Sequence, residues 1–201
     1  SRFQVLYELT RLRQLCCDPA LVYENYEGGS AKLDLCIELI QSAVESGHKI
    51  LLFSQFTSMI EILTARLQEE SISCFVLQGS TKKEQRAQMV EQFNRDDTSV
   101  FCISLKAGGT GLNLTGADIV IHYDPWWNVA VENQATDRAH RIGQKNVVTV
   151  YKLIAKGTIE EKIIKLQQMK KELAEEILSG DEIKTASFQR EELLELLEER
   201  F

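Results

Sequence analysis

No stretch of this sequence approaches the ~18 consecutive apolar residues that a bilayer-spanning helix needs. The start, SRFQVLYELTRLRQ, also lacks the apolar centre of a secretory signal. A soluble chain is expected. There are only two prolines and three histidines, and the five cysteines include no C-x-x-C pair. An odd count with Cys16 and Cys17 adjacent suits a disulfide framework poorly, and the usual zinc spacing is missing. Buried thiols in a reducing compartment are the expectation, with no metal ligands. Positive charge is short as well: 23 Lys+Arg face 30 Asp+Glu, a net −7. Seven acids and three bases fall between residues 181 and 201, so −4 belongs there and −3 to the first 180 residues. The deficit therefore does not exclude a local basic strip on the main body. Also absent are G-x-x-x-x-G-K-[ST] and any Gly-Lys dipeptide. Asp181-Glu182 follows Gly180 in a polar tail and is rejected as a magnesium-holding strand end. No independent grip on a nucleoside triphosphate and its magnesium is expected. A first residue of Ser rather than Met suggests a piece of something longer.

What is present is ordinary globular composition, 44% hydrophobic and 26% charged over 201 residues, enough for one domain or one plus an appendage. Residues 3–17 show helical apolar spacing and stop at Asp18-Pro19. Ser30 can cap a helix running to about residue 46, with Gly47 as its stop. Short apolar runs follow at 50–54, 74–77, 100–105, 119–123 and 147–154, separated by helical stretches at 58–70, 82–95 and 128–141. Thr81-Lys82-Lys83-Glu84 and Thr158-Ile159-Glu160-Glu161 read as capping boxes. The second opens a long helix ending at Gly180, and a short acidic amphipathic helix over about 188–199 closes the chain. Strands alternating with helices predict an α/β fold, a parallel sheet with helices on both faces and a helical C-terminal extension. The expected organisation is a leading helix and linker over 1–29, the sheet domain over 30–157 and the helical extension over 158–201. Ligands of such sheets sit beyond the carboxyl ends of the strands. That directs attention to residues 78–83, 106–113 and 124–128.

Two constellations there could carry chemistry. Lys106-Ala107-Gly108-Gly109-Thr110-Gly111 follows a strand, and its glycines allow close backbone approach to an anion; an ordinary tight turn has the same composition. Gln134, Arg138 and Arg141 fall on one stripe of a helix at ~100° per residue. Two guanidinium groups and an amide on a stripe can grip phosphate oxygens, or the stripe is a solvated face on which Asp137 pairs with Arg141.

The string Asp137-Arg138-Ala139-His140-Arg141-Ile142-Gly143-Gln144 resembles motif VI of the SWI/SNF-type ATPases, the chromatin-remodelling branch of superfamily 2 helicases. SLKAGGTGLN at 104–113 resembles the same family's motif V, and KILLFSQ at 49–55 its motif IV. Asp124-Pro125-Trp126-Trp127-Asn128 and Leu12-Arg13-Gln14-Leu15-Cys16 match as well, so the likeness covers nearly all of 5–180. Val129 stands where the family usually has Pro, and Asp18 where it often has His.

The resemblance implies the second of two RecA-like lobes in a DNA translocase, with ATP and Mg2+ bound mainly by the first lobe. Arg138 and Arg141 would be arginine fingers, with Gln134, Gly111 and Asn113 beside the nucleotide. DNA-backbone contacts would come from Ser54, Gly79, Arg86, Lys106, Gly109 and Thr110. Trp126 and Trp127 are expected either in the core or, for one of them (Trp126 is the assigned one), against DNA. His122 and His140 are expected to be structural. The helix 158–179 would brace the lobe, its apolar face including Ile159, Ile163, Ile164, Leu166 and Leu173. Implied partners are double-stranded DNA and the N-terminal lobe of the same polypeptide, with the acidic C-terminal helix offering a surface to a protein partner and no membrane involved. No Lys/Arg-rich nuclear signal is seen; cytoplasm or nucleoid is expected in a bacterial host and the nucleus in a eukaryotic one. The alternatives are the second lobe of a strand-separating or RNA helicase, and a non-catalytic protein-interaction adaptor.

Overall fold

A computed structural model describes residues 2–105 and 111–179. Five strands, β1 (Ile50–Ser54), β2 (Cys74–Leu77), β3 (Val100–Ser104), β4 (Ile119–His122) and β5 (Thr149–Lys152), form one sheet in the order β2-β3-β1-β4-β5. All four pairings are parallel. Six helices connect and cover them: α1 (Arg2–Cys17), α2 (Ala31–Glu45), α3 (Thr57–Glu69), α4 (Lys83–Arg95), α5 (Val129–Thr136) and α6 (Ile159–Ser179).

β1, β3 and β4 are continuous apolar runs because both of their faces are covered. Alternate side chains enter two separate cores. Ile50, Leu52, Val100, Cys102, Ile119 and Ile121 pack with Ile37 and Ile40 of α2 and with Ile60, Leu63 and Leu67 of α3. Leu51, Phe53, Phe101, Ile103 and Val120 pack with Phe93 of α4 and Ala135 of α5. Each fully buried Leu, Ile or Phe contributes ~1.5–3 kcal/mol relative to exposure. The register places Ser54 beside Ser104 and Phe53 beside His122. The segments leaving the carboxyl ends of β1, β3 and β4 therefore emerge side by side.

Ser30 caps α2, its Oγ accepting from the Leu33 N–H at 3.2 Å and donating to the Cys17 carbonyl at 3.1 Å. Three expected features differ. Thr81 does not cap α4: its Oγ1 accepts from the Gln78 N–H at 3.1 Å, and Lys82 occupies the cap position without a side-chain bond. A local turn has outcompeted the helix for that hydroxyl. At Thr158 the hydroxyl accepts from the Glu160 N–H at 3.1 Å, while Glu161 lies exposed. The third difference matters most. α5 stops at Thr136 instead of running to 141. The N–H groups of Arg138 and Ala139 reach back only three residues, and the carbonyls of those residues are taken by the Leu114 N–H and the Gln144 side chain. Gly143, at φ +101°, completes the turn.

β5 is exposed along its length and forms one edge of the sheet. α6 buries Ile159, Ile163 and Leu166 and packs on α1, while Ile164 is half-buried. No helix among the described residues is long and apolar enough to cross a membrane. The side chain of Leu173 and the acidic segment 188–199 lie outside the described residues.

Candidate phosphate-binding site

Gly111, Gln134, Asp137, Arg138, His140, Arg141 and Ile142 line one open depression of about 640 Å³. Four of the expected nucleotide-side residues meet there: Gly111, Gln134, Arg138 and Arg141. They do not meet along a helical stripe. Gln134 lies on α5, whereas both arginines lie on the turns that follow it. Arg138 is only 5% exposed, and its guanidinium carbon lies 5.5 Å from the Phe53 ring centroid. Burial lowers its pKa to about 10, which still leaves it cationic at neutral pH. Arg141 is exposed, and its Nη1 donates to the Leu112 carbonyl at 3.1 Å. Gly111 has φ +100°, a backbone conformation costly for any side chain. Asn113 is exposed, its carbonyl accepts from Asn94 at 2.8 Å, and it does not line the depression.

Gln144 holds the two arms of this site together. Its Nε2 lies 3.2, 2.7 and 3.0 Å from the carbonyls of Thr115, Ala117 and Ala139. A single amide thus ties the arginine turn to the loop after β3. No sequence pattern signals that role, because all three acceptors are backbone atoms.

Beside the depression, the strand ends carry a buried polar network. Asp124 is 2% exposed, accepts from Ser54 Oγ at 2.5 Å and from the Gln55 N–H at 3.3 Å, and has its pKa raised by burial. Ser54 is fully buried. The hydroxyl expected at a DNA phosphate is therefore spent inside the protein. Arg13 of α1 lies 5.3–5.6 Å from the ring centroids of Phe56, Trp126 and Trp127 and is 8% exposed. Both tryptophans are half-buried against this one cation, so Trp126 builds the wall of a cation–π cage. Lys32 Nζ donates to Glu160 at 2.5 Å and to the carbonyls of Tyr123 and Leu153 at 3.0 and 3.2 Å, which ties α2 to the start of α6.

The second expected DNA segment follows β2. Gly79 is exposed, and a Cβ there would meet nothing within 4 Å. Arg86 is turned back onto that segment: Nε donates to the Thr81 carbonyl at 2.8 Å, and Nη2 to the carbonyls of Gln78 and Gly79 at 3.3 and 3.2 Å. It shapes the turn, where a direct phosphate contact had been expected. Lys106, Gly109 and Thr110 lie outside the described residues. His122 is 1% exposed, stacks on Phe53 at 5.5 Å and meets Thr136 Oγ1 at 3.0 Å; burial lowers its pKa to about 4. It is a neutral core residue at physiological pH.

The depression offers two guanidinium groups and an amide against one carboxylate, Asp137. That donor set fits the phosphates of a nucleotide such as ATP. It does not fit the carboxylate side of a magnesium site, and among the described residues no three His, Cys, Asp or Glu side chains converge to hold a metal ion.

Residues 31–143 match the family described as helicase conserved C-terminal domain. A Mycoplasma pneumoniae protein named as an uncharacterized ATP-dependent helicase is 45% identical over 202 residues, covering 98% of this chain. The chain spans about a fifth (19%) of that relative's length. Among solved structures, the Sulfolobus solfataricus SWI2/SNF2 ATPase C-terminal domain superposes with TM-score 0.72 at 33% identity, covering 96% of this chain and 80% of that one. The Sulfolobus solfataricus SWI2/SNF2 ATPase core in complex with dsDNA gives 0.71 at 37% identity, over 88% of this chain and 38% of that one.

Proposed function

The chain belongs to the helicase C-terminal domain family, on its SWI2/SNF2 ATPase branch, and from that premise we propose that it is the second RecA-like lobe of an ATP-driven double-stranded-DNA translocase. The observation that carries the reading is the depression: Arg138 and Arg141 stand within it beside Gln134 and Gly111, on segments that leave the carboxyl ends of β3 and β4. The phosphoryl group to be transferred belongs to ATP held mainly by a first lobe, which also supplies the magnesium carboxylates. This chain's part is electrostatic. Arg138, desolvated and braced against Phe53, presents a fixed cation whose field is little screened. Arg141, exposed and anchored through Leu112, can reach outward. Together they stabilise charge that develops on the phosphoryl oxygens and leaving group.

DNA would run across the same edge of the sheet, meeting the open backbone at Gly79 and the segment 106–110. Such contacts go to phosphates and carry no sequence information. The Sulfolobus neighbour, a SWI2/SNF2 ATPase core in complex with dsDNA, supports duplex over single-stranded substrate. The test is ATP hydrolysis by the intact polypeptide with duplex DNA, single strands and RNA in turn. Duplex DNA should stimulate most; stimulation by RNA or single strands alone would replace this reading with a strand-separating helicase.

A further inference from the structure

Trp126 is held by its backbone from two helices at once. Its N–H donates to Glu132 Oε1 at 2.8 Å, and its carbonyl accepts from Gln167 Nε2. The same Gln167 amide donates to Glu132 Oε1 at 3.0 Å, closing a three-residue ring of bonds between α5, α6 and the strand-end loop. Glu132 is 1% exposed and sits in the first turn of α5; its Oε2 pairs with Lys152 Nζ of β5 at 3.0 Å. A buried carboxylate is retained against its desolvation cost only where its partners satisfy it. Here those partners come from three elements. α5 is eight residues long and leads directly into the turn of Arg138 and Arg141. Helical backbone is stiff over two turns, so the seat of Glu132 sets where that turn begins.

We propose that Glu132 and Gln167 are positioning residues that lock α5, and through it Arg138 and Arg141, in register with α6. ATP turnover then depends on how α6 is seated. The inference rests on the reading of those arginines given above. It assigns no contact with substrate to either residue.

The test uses the intact polypeptide and the ratio of duplex-stimulated to unstimulated ATPase within one preparation, a ratio that partial unfolding leaves unchanged. Glu132→Ala should lower the stimulated kcat at least tenfold and reduce the ratio, with KM for ATP within about twofold. Glu132→Gln keeps an acceptor for the Trp126 N–H and for Gln167, loses only the Lys152 charge pair, and should retain most of the activity. Gln167→Met preserves volume while removing both donors; it should reproduce Glu132→Ala and decides the matter should that variant fail to fold. A ratio unchanged in Gln167→Met, or a loss in Glu132→Gln equal to that in Glu132→Ala, overturns the clamp alone. An intact protein with no duplex-stimulated ATPase overturns the functional reading beneath it.

Discussion

Arg138 and Arg141 reach the same depression by different routes, and their substitutions should differ accordingly. Arg138 is buried on Phe53, so Arg138→Ala removes packing as well as charge and should lower stability by ~1–3 kcal/mol. Arg141 is exposed, and its loss should leave stability within about 0.5 kcal/mol. In the intact protein either change should cut kcat by at least ~10³ with duplex binding nearly unchanged, because a finger acts on the transition state. Steady-state ATPase together with a DNA-binding isotherm separates the cases: lost affinity with kcat retained would move these arginines onto the DNA. His122 gives a pH test. Its folded pKa of about 4 lies below the ordinary 6.5, so the unfolded chain binds more protons between those values. Stability should therefore fall as pH drops from about 6.5 to about 4, by an amount on the order of 3 kcal/mol from this group. His122→Gln cannot titrate. Urea unfolding at several pH values should show a flatter acid limb for that variant, and an unchanged slope would assign the acid lability elsewhere.

Among the elements, α2 and α6 are attached to each other and to the strand ends by buried charge as well as apolar surface. Lys32 and Glu160 are 7% and 1% exposed at their side chains and 2.5 Å apart, with Glu160 also accepting from the Ala155 N–H at 2.8 Å. Burial pushes the Glu160 pKa up, and Lys32 opposes that rise. Removing only the cation leaves an unpaired carboxylate in the interior. Lys32→Met should accordingly cost ~3–5 kcal/mol, while Lys32→Met with Glu160→Gln should recover a good part of that loss. Denaturant midpoints for the two singles and the double measure the coupling; strict additivity would show that the pair does not matter. The same scale explains two departures from the sequence pattern. Asp18, at a position where a His was noted as common, accepts from the Ala20 N–H at 2.8 Å and starts the short 3₁₀ turn at Pro19–Leu21. Val129 is the first residue of α5, where proline is well tolerated, and Asn128 Oδ1 caps the helix by accepting from Ala130 at 3.0 Å.

For the whole molecule, a net charge of −7 limits what this lobe can do alone on DNA. Arg86 is committed to its own turn, which leaves Lys106, together with the exposed Lys82 and Lys83 at the start of α4, to neutralise phosphate. Lacking G-x-x-x-x-G-K-[ST], the purified 201-residue chain should hydrolyse no ATP, and it should bind duplex DNA near or above ~10⁻⁴ M with a log–log salt slope no steeper than about −3. In the intact protein Lys106→Ala should weaken binding equally on unrelated sequences and reduce the slope by about one unit. Nanomolar, sequence-selective binding by the fragment would place the nucleic-acid site elsewhere.

Four strands were legible to within one residue, β1, β3 and β4 because buried parallel strands need unbroken apolar runs, whereas β5, an exposed edge strand, occupies only 149–152 of the stretch expected over 147–154. Ser30 as a cap and Gly47, at φ +82°, as a stop were equally readable, since each acts through its own local backbone. The gathering of Gly111, Gln134, Arg138 and Arg141 was legible only through the family motifs. The helical spacing first used to group them is broken by the end of α5 at Thr136. What ends that helix is a set of carbonyl partners from residues 114 and 144, distant contacts that no local propensity encodes. Tertiary structure likewise turned Ser54 inward to Asp124, Arg86 onto its own turn and both tryptophans onto Arg13. A polar side chain near a strand end reads alike whether it faces solvent or a buried partner 70 residues away. Only the packing of the chain decides which.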